Sequence, residues 1–234
     1  MADLYFKQLL VGRDIGHGDP IAAQMQNFVY LIGDRSAGEC LVVDPAWAVD
    51  EIVDMVEADG LKLTGALATH YHPDHVGGSM YGLTVEGLPR LMERSPCKVH
   101  AHKIEVPGIR QITGLEASDF VKHDSGDCVR VGDIEIELLH TPGHTPGSMC
   151  CRLKSAIVAG DTLFLQGCGR VDLPGGDAEQ MYYTLTQRLS SLPGDTVLYP
   201  GHAYGGESAD METVRSTNPY LSVPDLQTWL RHMG

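Results

Sequence analysis

The chain has 234 residues, of which 43% are hydrophobic and 21% are charged, a balance that predicts a globular protein with one domain over residues 1–234. The formal net charge of −14 disfavours nucleic-acid binding, because an acidic surface repels phosphate groups. Every apolar run is far shorter than a membrane span, and the N-terminal residues do not read as a signal peptide. We therefore expect a cytoplasmic protein that binds neither nucleic acid nor membrane.

The first half of the sequence alternates short apolar segments with polar turns. Val, Leu and Ile are concentrated in segments whose length is typical of β-strands. We predict strands over 27–33, 40–44, 65–70 and 97–102, and a helix over 49–60, where apolar residues recur with helical spacing. The strand over 65–70 ends at His70, so that this side chain lies at the carboxyl edge of a predicted sheet.

Two segments of this half lack a clear pattern. Residues 79–97 are interrupted by Gly and Pro, and no element is predicted there. Residues 103–126 are predicted to form a long loop that contains at most one turn of helix. A loop of that length in a compact domain usually serves a function or is mobile. Our hypothesis is that it covers the functional site and shapes its selectivity.

The second half of the sequence also alternates short apolar segments with polar turns. Strands are predicted over 128–144, in two parts joined near Gly132, and over 148–154, 156–161 and 196–202. A helix is predicted over 177–195, with Asp177 as its cap and Gln180 three residues later. Strands with helices between and after them indicate stacked mixed sheets with helices outside.

Histidines and aspartates stand just after several of these strands. Imidazole and carboxylate groups are the ligands that divalent transition metals prefer, and carboxylates can also bridge two ions. The candidate ligands are His70, His72, Asp74, His75, His144, Asp161 and His202. Seven ligands exceed the need of one four-coordinate ion, so the sequence predicts a site for two metal ions.

The local spacing supports this prediction. His70 and His72 point the same way in an extended segment, and Pro73 then turns the chain so that the next ligands reach a second position. His144 stands between two Pro-Gly pairs, a rigid turn that presents one side chain. The remaining histidines, among them His100 and His102, match no such motif and are predicted to be non-ligands.

These motifs resemble those of the metallo-β-lactamase superfamily. The segment "THYHPDH" matches its H-x-H-x-D-H signature, and "TPGHTPGS", "GDTLF" and "PGH" match its later ligand motifs in the same order. The resemblance covers roughly residues 27–221, nearly the whole chain. It implies a mixed α/β fold of four layers, the αββα sandwich, with the metals at one edge of the sheets.

The resemblance also implies roles for the ligands. One metal takes His70, His72 and His144, the second takes Asp74, His75 and His202, and Asp161 bridges them. Two divalent ions, zinc first and iron or manganese as alternatives, then hold a hydroxide that attacks a carbonyl polarised by one metal. Asp74 is predicted to orient this nucleophile or to pass on its proton. Asp44, after the strand "CLVVD", is predicted to support a metal ligand or to serve only as a turn residue at the strand end.

The segment "GCGR" is the best indication of a subfamily. It looks like the glutathione-contacting loop of the glyoxalase II and persulfide dioxygenase families, in which the position of Arg170 holds a carboxylate of the tripeptide. We predict a hydroxyacylglutathione hydrolase-like enzyme that acts on a thioester or related acyl compound, with a glutathione conjugate as a candidate substrate. Arg170 and Tyr204 are its candidate substrate-binding residues, although either could be structural.

Two alternatives stay open at this stage. A glutathione persulfide dioxygenase would hold one iron through residues that match His70, His144 and Asp161, and a lactone or β-lactam hydrolase would use the same hydroxide. The sequence departs from glyoxalase II in having Asp172 where that family usually has an aromatic residue, and in ending 32 residues after His202. It departs from the dioxygenases in having Gly201 where they usually have Ala.

Overall fold

The computed structural model describes residues 2–233, and the ends of the predicted domain, Met1 and Gly234, lie outside this range. The strands are β1 (Leu4–Leu10), β2 (Phe28–Asp34), β3 (Glu39–Val43), β4 (Lys62–Leu67), β5 (Gly78–Met80), β6 (Leu83–Val85), β7 (Lys98–His102), β8 (Phe120–His123), β9 (Cys128–Val131), β10 (Ile134–His140), β11 (Met149–Arg152), β12 (Ala156–Val158), β13 (Val197–Tyr199) and β14 (Ala209–Asp210). The helices are α1 (Pro20–Met25), α2 (Val49–Ala58), α3 (Pro73–Val76), α4 (Leu88–Arg94), α5 (Val106–Thr113), α6 (Ala178–Tyr183), α7 (Met211–Thr217) and α8 (Leu226–Met233).

The strands form two six-stranded sheets and one small hairpin. The first sheet has the order β1-β2-β3-β4-β7-β8, antiparallel from β1 to β3 and parallel from β3 to β8. The second has the order β14-β13-β12-β11-β10-β9, in which only β12 and β13 are parallel. The hairpin consists of β5 and β6 and stands outside both sheets.

Apolar side chains fill three layers between and around these sheets. Phe28, Tyr30 and Ile32 of β2 point into the space between the sheets, while the alternate residues Val29 and Leu31 pack towards the outer helices. A strand buried on both faces reads as a continuous apolar run, which explains the sequence of β2. The predicted αββα sandwich is confirmed.

The outer helices bury the apolar face that their spacing predicts. Ile52, Val53 and Val56 of α2 pack on the first sheet. Met181 of α6, together with Leu185 and Leu189 in the π-helical turns that continue it over Thr184–Leu189, packs on the second sheet. The carboxylate of Asp177 accepts the backbone N–H of Gln180 at 2.9 Å, so the predicted cap is confirmed.

The structure corrects the prediction for residues 103–126. This segment is not a long loop, because it contains α5, a 3₁₀ turn over Ala117–Asp119 and the edge strand β8. Val106 and Ile109 anchor α5 in the core beneath the first sheet. Residues 79–97, for which no element was predicted, contain parts of the hairpin and the helix α4. Within the described residues, we find no helix both long and apolar enough to cross a membrane.

Candidate metal centre

The seven candidate ligands come from four separate loops that meet at one edge of the sandwich. Four follow β4, either before or within the short helix α3; one lies between β10 and β11; one follows β12; and one follows β13. Their side chains are buried or nearly so, and His70 is fully buried. The candidate ligands are His70, His72, Asp74, His75, His144, Asp161 and His202. The fold therefore brings together every candidate ligand that the sequence predicted.

The first group of donors is His70, His72 and His144. One ligand atom from each lies within 4.8 Å of the others, the spacing expected around a single ion. Nδ1 of His72 and Nε2 of His144 are 2.9 Å apart. This is the set that the sequence analysis assigned to one metal.

The second group of donors is Asp74, His75 and His202, and it meets the same limit of 4.8 Å. Nε2 of His202 lies 3.3 Å from Nε2 of His75 and 3.4 Å from Oδ2 of Asp74. Two neutral imidazoles and one carboxylate suit zinc, iron or manganese.

Asp161 stands between the two groups. Its Oδ2 is 3.7 Å from Nε2 of His144 in the first group and 3.3 Å from Nε2 of His202 in the second. Its Oδ1 is 3.3 Å from Nε2 of His75. One carboxylate thus reaches both donor groups, as a bridging ligand must.

Two buried atoms test whether these residues fit a cation. Among the described residues, Nε2 of His70 and Oδ1 of Asp161 have no hydrogen-bond partner, and both face the donor groups. An unpaired polar atom in the interior is costly and rare in native proteins. A cation placed between the groups would satisfy both atoms, so the donor set fits divalent metal ions.

Hydrogen bonds from the far side of the rings fix which nitrogen faces the centre. Nδ1 of His75 contacts Oδ2 of Asp44 at 3.0 Å, and Nδ1 of His144 and of His202 each lie 2.7 Å from a backbone carbonyl, of Arg170 and Met25 respectively. An oxygen acceptor requires the proton on Nδ1, which leaves the lone pair on Nε2 for a metal.

Asp44 supports one ligand in each group. Besides His75, its carboxylate accepts the backbone N–H of Thr69 at 2.7 Å and the Thr69 hydroxyl at 2.6 Å. Because that hydroxyl donates to Asp44, it accepts a hydrogen bond from the Nδ1–H of His70 at 3.0 Å. Asp44 has a φ of 53°, a left-handed conformation that aspartate tolerates better than most residues. These contacts agree with the predicted supporting role.

Glu105 is a residue that the sequence analysis missed. Its carboxylate, only 1% exposed, accepts the N–H groups of Tyr71 and Gly147, each at 2.8 Å, and the hydroxyl of Thr145 at 2.7 Å. It thereby ties the loop of His72 to the loop of His144. No sequence motif marks it, because its partners are 34 to 42 residues away.

Asn27 is a second missed residue, and it supports the other donor group. Its Nδ2 donates to Oδ2 of Asp74 at 3.1 Å, and its Oδ1 accepts the indole N–H of Trp47 at 3.1 Å. The indole contact fixes which end of the amide faces Asp74. Asn27 is 1% exposed, so Asp74 is held from within the core.

The two donor groups differ in the pKa values of their histidines. Burial and the neighbouring imidazoles lower the pKa of His72 to about 4, and burial lowers the pKa of His70 well below its ordinary value. For His202, burial alone would lower the pKa, but the carboxylates of Asp161 and Asp74 raise it to about 9. At neutral pH His70 and His72 are therefore neutral and can bind a cation, whereas a cation that binds His202 must displace a proton.

A cleft of about 630 Å³ opens onto this centre. Arg170 and Tyr204, the predicted substrate-binding residues, both line it, but no residue of 103–126 is among the described residues that do. The Tyr204 ring stacks on the His202 ring at 4.7 Å. Arg170 does not extend a free guanidinium, because Nε and Nη2 pair with the two carboxylate oxygens of Asp172 at 2.9 and 2.7 Å.

His100 and His102 lie apart from the centre. Nδ1 of His100 is 2.9 Å from Nε2 of His123, and the His102 ring stacks on that of His140 at 4.0 Å. None of the four joins a cluster of three ligand atoms that could hold an ion in the part of the chain that the structure describes. This agrees with their prediction as non-ligands.

The chain is similar in sequence and fold to known proteins. The chain is 32% identical to the mitochondrial persulfide dioxygenase ETHE1 of Homo sapiens over 229 residues, which are 94% of this chain and 83% of that protein. It is 33% identical to the hydroxyacylglutathione hydrolase of Tolumonas auensis over 185 residues, which are 79% of this chain but only 64% of that protein. A crystal structure of ETHE1 from Myxococcus xanthus matches with a TM-score of 0.78 and 30% identity, over 98% of this chain and 89% of that one. Residues 23–202 match the metallo-beta-lactamase superfamily, and the chain therefore belongs to that superfamily.

Proposed function

We propose that the protein is a metal-dependent hydrolase that cleaves a thioester or a related acyl compound. The observation that carries this proposal is the pair of donor groups with Asp161 between them. A mononuclear enzyme needs only one of these groups. Two groups joined by one carboxylate are the arrangement that a two-metal hydrolytic site requires.

In this proposal His70, His72 and His144 would hold one ion, Asp74, His75 and His202 would hold the other, and Asp161 would contribute to both. Two divalent ions, zinc in the first place and iron or manganese as alternatives, would supply Lewis acidity that acidifies a water molecule and polarises a carbonyl. The hydroxyl oxygen bonds to the carbonyl carbon, the carbon–sulfur bond breaks, and the thiol leaves with a proton.

Asp74 is the candidate residue for orienting the nucleophile in this step. Its side chain is 10% exposed, lines the cleft and is held by the amide of Asn27 at 3.1 Å. Burial alone would raise its pKa, but the charges of His75 and His202 lower it below the usual range. Asp74 thus stays ionised near neutral pH, and we assign it the role of orienting the nucleophile.

A second candidate function is persulfide dioxygenation. Two observations favour it: the persulfide dioxygenase named above aligns with nearly the whole chain, and His70, His144 and Asp161 alone form a face of two histidines and one carboxylate. Such a face suits one iron with open positions. Lactone and β-lactam hydrolysis remain third, since no residue of the cleft favours either. A glutathione conjugate as substrate and a cytoplasmic location stay predictions.

One experiment separates these functions. Protein purified without added metal is analysed for metal content by mass spectrometry, and the same sample is assayed for thioester hydrolysis and for oxygen uptake with glutathione persulfide. We expect about two metal ions per chain, thioester hydrolysis and no oxygen uptake. About one iron per chain with oxygen uptake would replace the hydrolase by the dioxygenase. His72→Ala is expected to remove hydrolysis and most of one metal equivalent.

A further inference from the structure

The hairpin of β5 and β6 carries an unusual residue at its tip. Tyr81 and Gly82 form the turn, with φ of 51° and 79°, so both central residues have the positive φ of a type I′ turn. This turn prefers Asn-Gly, because a bulky residue is strained in the left-handed region. A tyrosine in this position therefore opposes the local preference.

Tyr81 also contributes little to folding. Its side chain is 88% exposed, although it lines the cleft above the metal centre. The hairpin is held at its base instead, where Gly77 and Gly87 pack so closely that a Cβ on either would come within 2.7 Å of the other's backbone. The backbone N–H of Trp47 fixes the same base by donating to the carbonyl of Glu86 at 3.0 Å. Backbone strain of this kind is concentrated at binding and catalytic sites, which points to a role for Tyr81 in binding.

The rest of the cleft wall is mainly apolar. Met80 stands beside Tyr81 on the hairpin, and Phe164 and Tyr204 form an edge-to-face pair at 5.6 Å that lines the cleft. Leu173 and Pro174 complete the rim, and the Tyr71 hydroxyl holds their loop by donating to the Pro174 carbonyl at 2.5 Å. The surface that a substrate meets beyond the ligands is thus aromatic and aliphatic.

The charged side chains of the cleft also favour an uncharged substrate. Arg170 is the one lysine or arginine side chain among the described residues that line the cleft, and its Nε and Nη2 already donate to the carboxylate of Asp172. Glutathione carries two carboxylates and one ammonium group, and charged groups are costly to desolvate without partners. A thiol carrier without these charges would enter the same cleft without breaking the Arg170–Asp172 pair.

We propose that the substrate is a thioester with an uncharged thiol half and an apolar acyl chain, and that Tyr81 determines this specificity by closing on the acyl chain from the hairpin tip. The inference rests on the proposed hydrolase and narrows its substrate class. Tyr81 binds the chain and takes no part in the reaction, so its loss raises KM more than it lowers kcat.

The test compares substrates that differ in one half only. Hexanoyl thioesters of N-acetylcysteamine and of glutathione are hydrolysed by the metal-loaded protein, and acetyl N-acetylcysteamine serves as the short-chain reference. Tyr81→Asn restores the preferred Asn-Gly turn, so the hairpin keeps its fold. Leu83→Ala is the matched control, because Leu83 is on the same hairpin and 39% exposed but does not line the cleft.

We expect kcat/KM to be at least roughly tenfold higher for the uncharged hexanoyl thioester than for the glutathione one. Tyr81→Asn should lower kcat/KM roughly tenfold for hexanoyl N-acetylcysteamine, mainly by raising KM. For acetyl N-acetylcysteamine the decrease should be less than about twofold. Leu83→Ala should change neither. Asp172→Asn, which frees Arg170, should raise activity on the glutathione thioester. Equal or better hydrolysis of hexanoyl-glutathione, or an equal loss on both acyl chains in Tyr81→Asn, would overturn the inference.

A binding measurement keeps this result separate from the hydrolase proposal. If neither thioester is cleaved, the hydrolase fails, and calorimetry with the uncleavable S-hexyl thioethers of N-acetylcysteamine and glutathione decides the specificity. The inference is still supported if the S-hexyl thioether of N-acetylcysteamine binds more tightly than S-hexylglutathione and if Tyr81→Asn weakens that binding. Tighter binding of S-hexylglutathione refutes it.

Discussion

Replacing Asp44 with Asn is expected to weaken metal binding in the second donor group. The carboxylate accepts three hydrogen bonds, from the Thr69 N–H at 2.7 Å, the Thr69 hydroxyl at 2.6 Å and Nδ1 of His75 at 3.0 Å. An amide has one oxygen, and if this oxygen keeps the Thr69 N–H, an NH₂ group faces His75. His75 must then present an unprotonated Nδ1, which places its proton on Nε2 and removes the lone pair from the metal.

The size of the effect follows from the role of such partners. Loss of a hydrogen bond that orients a metal ligand typically weakens binding about 10- to 100-fold, or about 1.4 to 2.7 kcal/mol. We expect this change in one of two zinc equivalents, measured at pH 7.5 by competition with a chromophoric chelator. The first group should change less, because His70 meets Asp44 only through Thr69.

Asp34→Asn is the matched control. Asp34 is also 1% exposed and accepts backbone N–H groups, from Ser36 and Asp133 at 2.9 Å each, but these contacts are with the β2–β3 and β9–β10 turns and not with the metal centre. It should lower stability while both zinc affinities stay unchanged. Unchanged zinc affinity in Asp44→Asn, or an equal loss in Asp34→Asn, would refute the reasoning.

Three further predictions concern stability and metal loading. Glu105→Gln should lower the free energy of unfolding by about 1 to 3 kcal/mol in urea, because an amide cannot accept all three donors, and should reduce zinc in the first group; a normal urea midpoint would contradict this. Removal of both metals with a chelator should abolish hydrolysis and lower the Tm, since each site filled at about 100 times its Kd adds about 2.7 kcal/mol, and re-added zinc should restore both; an unchanged Tm would argue against structural binding. Burial lowers the pKa of both His100 and His102 to about 4, below the value of about 6.5 in an unfolded chain, so the unfolded state takes up protons first and stability should fall as the pH drops from 6.5 towards 4. A His100→Asn/His102→Asn variant of the metal-free protein should lose part of that slope in urea titrations, and an unaltered slope would exclude these two residues as its cause.

The candidate ligands could be named from the sequence because each stands in a local motif. His70 follows closely after an apolar strand, His144 stands between two Pro-Gly turns, and His202 follows a strand of the second sheet that the sequence showed clearly. A strand fixes where its last residue lies, and a Gly or Pro turn fixes how the next one points. The pattern of strands and helices indicated stacked mixed sheets, and the resemblance of these motifs to the metallo-β-lactamase superfamily implied the αββα sandwich.

Glu105 and α5 could not be predicted, because long-range packing decides them. The helix contains Gly108, which opposes helix formation, and a Cβ at that position would come within 2.9 Å of the Tyr71 side chain. Glycine at position 108 is therefore required by its close contact with Tyr71 and not by the helix in which it lies. The carboxylate of Glu105 likewise acquires its role only when two distant loops meet beside it.

The contact between His202 and the carbonyl of Met25 joins residues 177 positions apart in the chain. Closing such a long loop is slow, and the pairing on which it depends needs both sheets to be assembled first. Both donor groups have two members near residues 70–75, but the first is completed by His144 and the second only by His202. In the proposed two-metal centre, the second ion would therefore bind later in folding than the first.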